Sequence, residues 1–244
     1  MDTNSYVGSY HISDNNNDYT ENEMTNLLEI DSVILEFGLS RVLQNVYLKS
    51  ETGKITGLLG RNGSGKSCLM KILFGELVPN DKSIRINGDS LITSYRSPKD
   101  LRYLPQSRFI PNYITVKRVF SDFDIDFNDL VLYFPEFEKF YNSKLVNLSG
   151  GERRIIEIYT ILVSQTKFCM LDEPFSQVMP IHAETMKKLI VREKANKGII
   201  ITDHLYKYII DICDDLYLIK DGKTYLTKSI DDIEKLGYAR VVSK

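Results

Sequence analysis

At 244 residues, with 43% apolar residues and a net charge of −2, the chain has enough apolar material for one large domain or a domain with subdomains. So small a net charge gives no global basic field for nucleic acid or acidic lipid, and no nucleic-acid partner is expected. Its three scattered cysteines, Cys68, Cys169 and Cys213, fit neither a disulfide framework nor a zinc site and point to a reducing compartment.

The start of the chain lacks the basic residues and apolar run of a secretory leader. No stretch approaches the roughly 20 apolar residues that cross a bilayer, so any membrane role requires docking to a spanning partner. Residues 1–26 contain no Lys or Arg and include Asp14-Asn15-Asn16-Asn17-Asp18. They bury too little apolar surface to offset their ordering entropy, and a disordered polar tail is expected there, followed by one domain over 27–244.

From Leu27 the texture changes. Residues 30–37 and 42–49 are rich in Val, Ile, Leu and aromatics, as strands are. Gly53 precedes the apolar run Ile55-Thr56-Gly57-Leu58-Leu59, a buried strand by its composition. After a glycine-rich loop, residues 68–74 read as a helix ended by Gly75. Residues 83–86 alternate as a strand, and Asn87-Gly88 marks a turn.

Residues from about 112 to 147 hold Phe120, Phe123, Phe127, Tyr133, Phe134, Phe137, Phe140 and Tyr141 among many acids and read as a small helical subdomain. Those aromatics either line a groove for a partner or form the subdomain's own core. Phe168-Cys169-Met170-Leu171 and Gly198-Ile199-Ile200-Ile201-Thr202 are continuous apolar runs, as strands covered on both faces of a parallel sheet are. Asp221-Gly222 between two short apolar runs signals a hairpin. Helical patterns between these strands give an α/β fold.

Three segments carry chemistry. Gly60-Arg61-Asn62-Gly63-Ser64-Gly65-Lys66-Ser67, between strand and helix, has the phosphate-binding pattern G-x-x-x-x-G-K-[ST]. Its glycines let backbone N–H groups turn toward phosphate oxygens, Lys66 reaches the β- and γ-phosphates, and Ser67 offers a hydroxyl to Mg²⁺. Asp172-Glu173 ends a buried strand, placing Asp172 to hold Mg²⁺ through water and Glu173 to polarise an attacking water. Ser149 and Glu152 form a capping box ahead of the amphipathic series Ile155, Ile158, Tyr159, Leu162. Gly150 and Gly151 are costly for a cap alone and suit a helix start that must approach an anion.

Taken together with Thr202-Asp203-His204, and in this order and spacing, these segments resemble the ATP-binding cassette (ABC) ATPases over roughly residues 28–240. The resemblance implies a P-loop NTPase core of mainly parallel sheet, an antiparallel β subdomain and a small helical subdomain. It implies that Gln106, in Tyr103-Leu104-Pro105-Gln106, contacts Mg²⁺ and the attacking water. His204 would hold the γ-phosphate and the loop around Glu173, and Phe37 would stack on adenine unless it packs in the core. It also implies a head-to-tail homodimer. ATP then lies between one subunit's phosphate loop and the other's Ser149, Gly150, Gly151 and Glu152, and transmembrane permease subunits hold the pair at the cytoplasmic face of a membrane. Leu148-Ser149-Gly150-Gly151-Glu152-Arg153-Arg154 and Leu171-Asp172-Glu173-Pro174-Phe175 are similar to the lipopolysaccharide-export ATPases, and branched-chain amino acid importers share much of this texture.

Two positions depart from the family pattern. Cys68 stands where a threonine is usual, and Met179 replaces an aspartate that links the two sites across the dimer. A soluble cassette ATPase and an ATP-gated clamp stay open as alternatives to the transporter motor.

Overall fold

A computed structural model describes residues 25–92, 96–204, 206–227 and 230–238, so the polar tail expected at 1–26 lies outside the described residues except for its last two. Two sheets organise the chain. A four-stranded antiparallel sheet is built from β1 (Leu27–Phe37), β2 (Ser40–Glu51), β4 (Asp81–Ile86) and β5 (Asp89–Ser90), in the order β2-β1-β4-β5. The six-stranded sheet contains β3 (Ile55–Gly60), β6 (Leu101–Leu104), β7 (Phe168–Asp172), β8 (Gly198–Thr202), β9 (Asp215–Lys220) and β10 (Lys223–Thr227). Its order is β10-β9-β3-β8-β7-β6, parallel throughout except for the β9–β10 hairpin. Every residue of β3, β7 and β8 is buried, which explains why these strands read as unbroken apolar runs.

Helix α1 (Lys66–Phe74) follows β3, and it starts two residues earlier than its apolar pattern suggests. Gly65, at φ 102, turns the loop straight into the helix, and a Cβ there would lie 2.7 Å from the Leu43 side chain. Strands β1 and β2 are longer than their apolar centres, and β6 was not anticipated: four residues are too few to show a period. At both expected hairpins, Asn87-Gly88 and Asp221-Gly222, the two residues adopt positive φ, the geometry that matches strand twist.

Helices α2 (Val116–Asp122) and α3 (Phe127–Tyr133), with 3₁₀ turns at Pro135–Phe140 and Leu145–Asn147, form the helical subdomain. Thr115 and Asp126 cap the two helices. Phe120, Phe127, Phe134 and Phe137 are buried, and Phe120 stacks on Tyr159 at 6.0 Å. These aromatics are therefore the subdomain's own core. It is continuous with the core beneath α4 (Gly150–Val163) and α5 (Pro180–Glu193) on one face of the parallel sheet. A second core fills the space between the other face, α1 and the antiparallel sheet. Short helices α6 (Tyr206–Ile210) and α7 (Ile230–Lys235) complete the described chain.

The parallel register fixes the site. Leu104 lies beside Leu171, Asp172 beside Thr202, and Gly57 beside Ile201, so β3, β6, β7 and β8 all run out at the same edge. In open α/β sheets that carboxyl edge is where ligands bind.

Candidate nucleotide site

Beyond that edge lies a cleft of about 620 Å³, lined by Phe37, Asn62, Gly63, Gly65, Lys66, Ser67, Cys68, Gln106, Glu173 and His204 with Val42. The loop that opens it is preorganised by backbone bonds, Ser64 N–H to Arg61 C=O at 3.0 Å and Leu69 N–H to Gly65 C=O at 2.9 Å. Lys66 Nζ folds back onto the carbonyls of Gly60 at 2.8 Å and Arg61 at 3.3 Å. Burial depresses the Lys66 pKa, while Glu173, Asp172 and Asp203 pull it upward. Arg61 turns away from the cleft and donates to the Gly237 carbonyl at 3.2 Å, and with Ser64 it lines a neighbouring cleft. Phe37, at the end of β1, is 54% exposed beside the loop rather than packed in the core.

Asp172 is 1% exposed. Its Oδ2 accepts a hydrogen bond from the Tyr103 hydroxyl at 3.1 Å, and its Oδ1 has no hydrogen-bond partner. Burial raises its pKa, and the Ser67 and Tyr103 hydroxyls counter that rise. An unpartnered buried carboxylate oxygen is costly unless something cationic or hydrated meets it. Among the described residues no group of three or more His, Cys, Asp and Glu would hold a metal unaided. One carboxylate and one hydroxyl beside a phosphate loop suit Mg²⁺, which relies on water and substrate phosphates for its remaining ligands.

Glu173 takes a left-handed backbone, φ 50. Its N–H donates to the Thr202 carbonyl at 2.8 Å, which pins the turn to the end of β8. The carboxylate Oε2 accepts from Gln106 Nε2 at 2.7 Å and from Ser176 Oγ at 3.4 Å, and His204 Nδ1 lies 3.6 Å away. Asp203, fully buried, accepts from the Phe175 N–H at 3.1 Å and lies 3.4 Å from His204 Nδ1. Four strand ends thus bring Lys66, Ser67, Gln106, Asp172, Glu173 and His204 together.

The start of α4 is elsewhere. Both bonds of its capping box are made, Ser149 N–H to Glu152 Oε2 at 2.8 Å and Glu152 N–H to Ser149 Oγ at 3.3 Å. Ser149, Gly150, Gly151 and Glu152 line none of the phosphate-loop cleft. Gly150 instead borders a second cleft of about 500 Å³ with Arg108 and Gln177, which shares Gln106, Glu173 and His204 with the first. Gly151 is so close to the chain after Glu173 that a Cβ would lie 2.9 Å from the Gln177 carbonyl.

Met179 is the N-cap of α5, is 57% exposed and makes no capping bond. Restoring a cap with Met179→Asp is expected to stabilise the chain by about 1 kcal/mol, read as a higher urea midpoint with an unchanged slope. An unchanged or lower midpoint would contradict this.

Two contacts escaped sequence reasoning. Tyr103 reaches Asp172 only because parallel pairing brings β6 beside β7. Arg154 carried a visible signal, a second arginine inside an apolar helical period with Glu157 three residues on, and it is buried with its guanidinium on the backbone of both acids.

The chain is similar to known proteins in sequence and in fold. Residues 43–176 match the family described as ABC transporter. The lipopolysaccharide export system ATP-binding protein of Escherichia coli (strain K12) is 34% identical over 199 residues, 75% of this chain and 82% of that protein. An uncharacterized ABC transporter ATP-binding protein of Rhizobium meliloti is 35% identical over 210 residues, covering 79% and 77%. The solved ATP-binding subunit of an ABC transporter superposes with a TM-score of 0.75 at 22% identity over 87% of this chain and 94% of that one, a likeness of fold.

Proposed function

This chain belongs to the ABC transporter family as an ATP-binding subunit, and on that premise we propose that it binds Mg-ATP at the sheet edge, hydrolyses it as a head-to-tail homodimer, and drives a membrane permease. The observation that carries the proposal is the meeting of Gln106, Glu173 and His204 beside Lys66 and Asp172, with Ser149–Glu152 held outside the same cleft. A phosphate loop without an anion-binding helix start opposite it is half a site, and a second copy supplies the missing half.

In this site Lys66 exchanges its loop carbonyls for the β- and γ-phosphates. Phe37 offers its exposed ring to adenine. Ser67 and Asp172 hold Mg²⁺, which when bound neutralises charge on the phosphoryl oxygens. Glu173 takes a proton from the attacking water, His204 orients the Glu173 carboxylate, and Gln106 shares it. The Gln106 amide now caps that carboxylate, so Gln106 gives way when water and the γ-phosphate arrive.

The permease contact is assigned to a cleft of about 240 Å³ between the sheet and the helical subdomain. Phe74, Phe109 and Phe123 give it apolar walls, and Arg102 lies over the Phe123 ring at 5.1 Å. Among the described residues no helix is long and apolar enough to cross a membrane. In this reading the motor works from the cytoplasmic face through its partner. The lipopolysaccharide-export relatives make an export system the first place to look for that permease.

The test is light scattering with turnover on the same sample. Wild type should release phosphate from Mg-ATP, and Glu173→Gln should be dimeric with ATP and monomeric with ADP. Monomers in every nucleotide would overturn the composite site. A second reading, an ATP-gated clamp, draws on Met179 at the usual place of an aspartate. It is selected if wild type dimerises on ATP and turns none over with or without a permease.

A further inference from the structure

Arg154 lies in the second turn of α4, 5% exposed, and makes contacts that a capped amphipathic helix does not require. Its Nη1 donates to the Pro105 carbonyl at 2.9 Å, and its Nη2 to the carbonyls of Asp172 at 3.0 Å and Glu173 at 3.2 Å. One planar group thus joins the residue before Gln106 to both acids at the end of β7. Glu157, fully buried, lies 3.6 Å from Nη1 and takes Arg153 Nε at 3.2 Å through its other oxygen. Arg153 continues to the Ile110 carbonyl and the Asn112 side chain, on the segment that follows Gln106.

A buried ionic network of this kind returns little stability for its desolvation, so stability does not account for it. Geometry does. Glu173 holds a left-handed φ, which a glutamate keeps only when its surroundings over-determine it. Its N–H is fixed by Thr202 and its C=O by Arg154. The Gln106–Glu173 contact at 2.7 Å requires the ends of β6 and β7 to keep their spacing, and Arg154 spans both.

We propose that Arg154 is a positioning residue: it holds Glu173 and Gln106 in register from the helix whose first residues face the partner's nucleotide, and so passes the engagement of Ser149–Glu152 to the same chain's general base. This deepens, and rests on, the composite-site ATPase reading. It also gives the chain a route between its two sites that does not use Met179.

Arg154→Lys keeps a cation beside Glu157 but loses the planar fork that reaches three carbonyls. Full-length wild type and Arg154→Lys are compared in three measurements: the thermal midpoint, kcat and KM for Mg-ATP, and amide hydrogen exchange without nucleotide. The variant is expected to lose about 10-fold or more in kcat, as small misplacements at a reacting centre do, with KM changed less than about 3-fold. Exchange should quicken across residues 173–178 and stay unchanged in β7 and β8. Unchanged kcat together with unchanged exchange would overturn the proposal. If Arg154→Lys is globally destabilised, Arg154→Met, which leaves Glu157 paired with the buried Arg153, is judged by the same two criteria. A wild type without turnover would contradict the ATPase reading, and the exchange result would still decide whether Arg154 positions Glu173.

Discussion

Glu173→Gln lowers Mg-ATP turnover by about 10²–10⁴-fold, the contribution of a positioned general base. The amide keeps the size of the carboxylate and can still meet His204, but it cannot accept a proton. Its carbonyl oxygen still accepts the Gln106 amide bond now made at 2.7 Å, so the turn at φ 50 keeps its partners and the fold its stability. ATP affinity should hold, because Lys66, Ser67 and the loop N–H groups are untouched. With hydrolysis stopped, the ATP-bound pair should outlive that of the wild type. Measured together, phosphate release falls by orders of magnitude while the ATP-dependent rise in unfolding temperature persists. Turnover within a few-fold of wild type would remove Glu173 from the role of base.

The second large effect is at Asp172. Asp172→Asn should abolish the extra stabilisation that Mg²⁺ adds to ATP binding, an increment of about 2.7 kcal/mol when ligand stands at 100 times its Kd. The nucleotide-free chain should behave in the opposite sense. Burial raises the Asp172 pKa, so its charged form opposes folding. Its contribution to stability is complete below the ordinary carboxylate pKa of 3.8 and is lost as pH rises through the raised value. Above that raised value, replacing the carboxylate with an amide that still accepts from Tyr103 removes the loss. The free variant is therefore expected to unfold at the same temperature as wild type or higher at pH 7, with the difference shrinking as pH falls through the raised pKa. Unfolding scans of both proteins with ATP and EDTA, with Mg-ATP, and without nucleotide check all of this. A Mg²⁺ increment surviving in Asp172→Asn would place the cation elsewhere.

Much of this site was legible because its parts are local in sequence. The phosphate loop needs only glycines, a lysine and a hydroxyl between strand and helix, and the capping box needs only Ser149 and Glu152. The apolar runs that became β3, β7 and β8 showed strands covered on both faces. What stayed hidden depends on pairing across the sheet. Tyr103 and Asp172 are 69 residues apart and meet only because β6 and β7 are neighbours in register. Arg154 reaches carbonyls 18, 19 and 49 residues away, and backbone acceptors leave no mark in a sequence. The fate of the helical subdomain's aromatics was undecidable for a related reason: a ring at helical spacing reads the same whether it faces a neighbour helix or a groove. Phe120, packed against Phe127 and Tyr159, belongs to the core, while Phe123 stands at the groove.

The central claim is that each ATP is held by two copies of the chain, and subunit complementation tests it most directly. One chain carries Lys66→Ala, which disables the phosphate loop, and the other carries Ser149→Arg, which blocks the start of α4. Each alone should release little phosphate from Mg-ATP, and an equimolar mixture should recover a clear fraction of wild-type turnover, because the mixed pair contains one intact composite site. A mixture as inactive as its components, or a Ser149→Arg chain fully active by itself, would contradict the account.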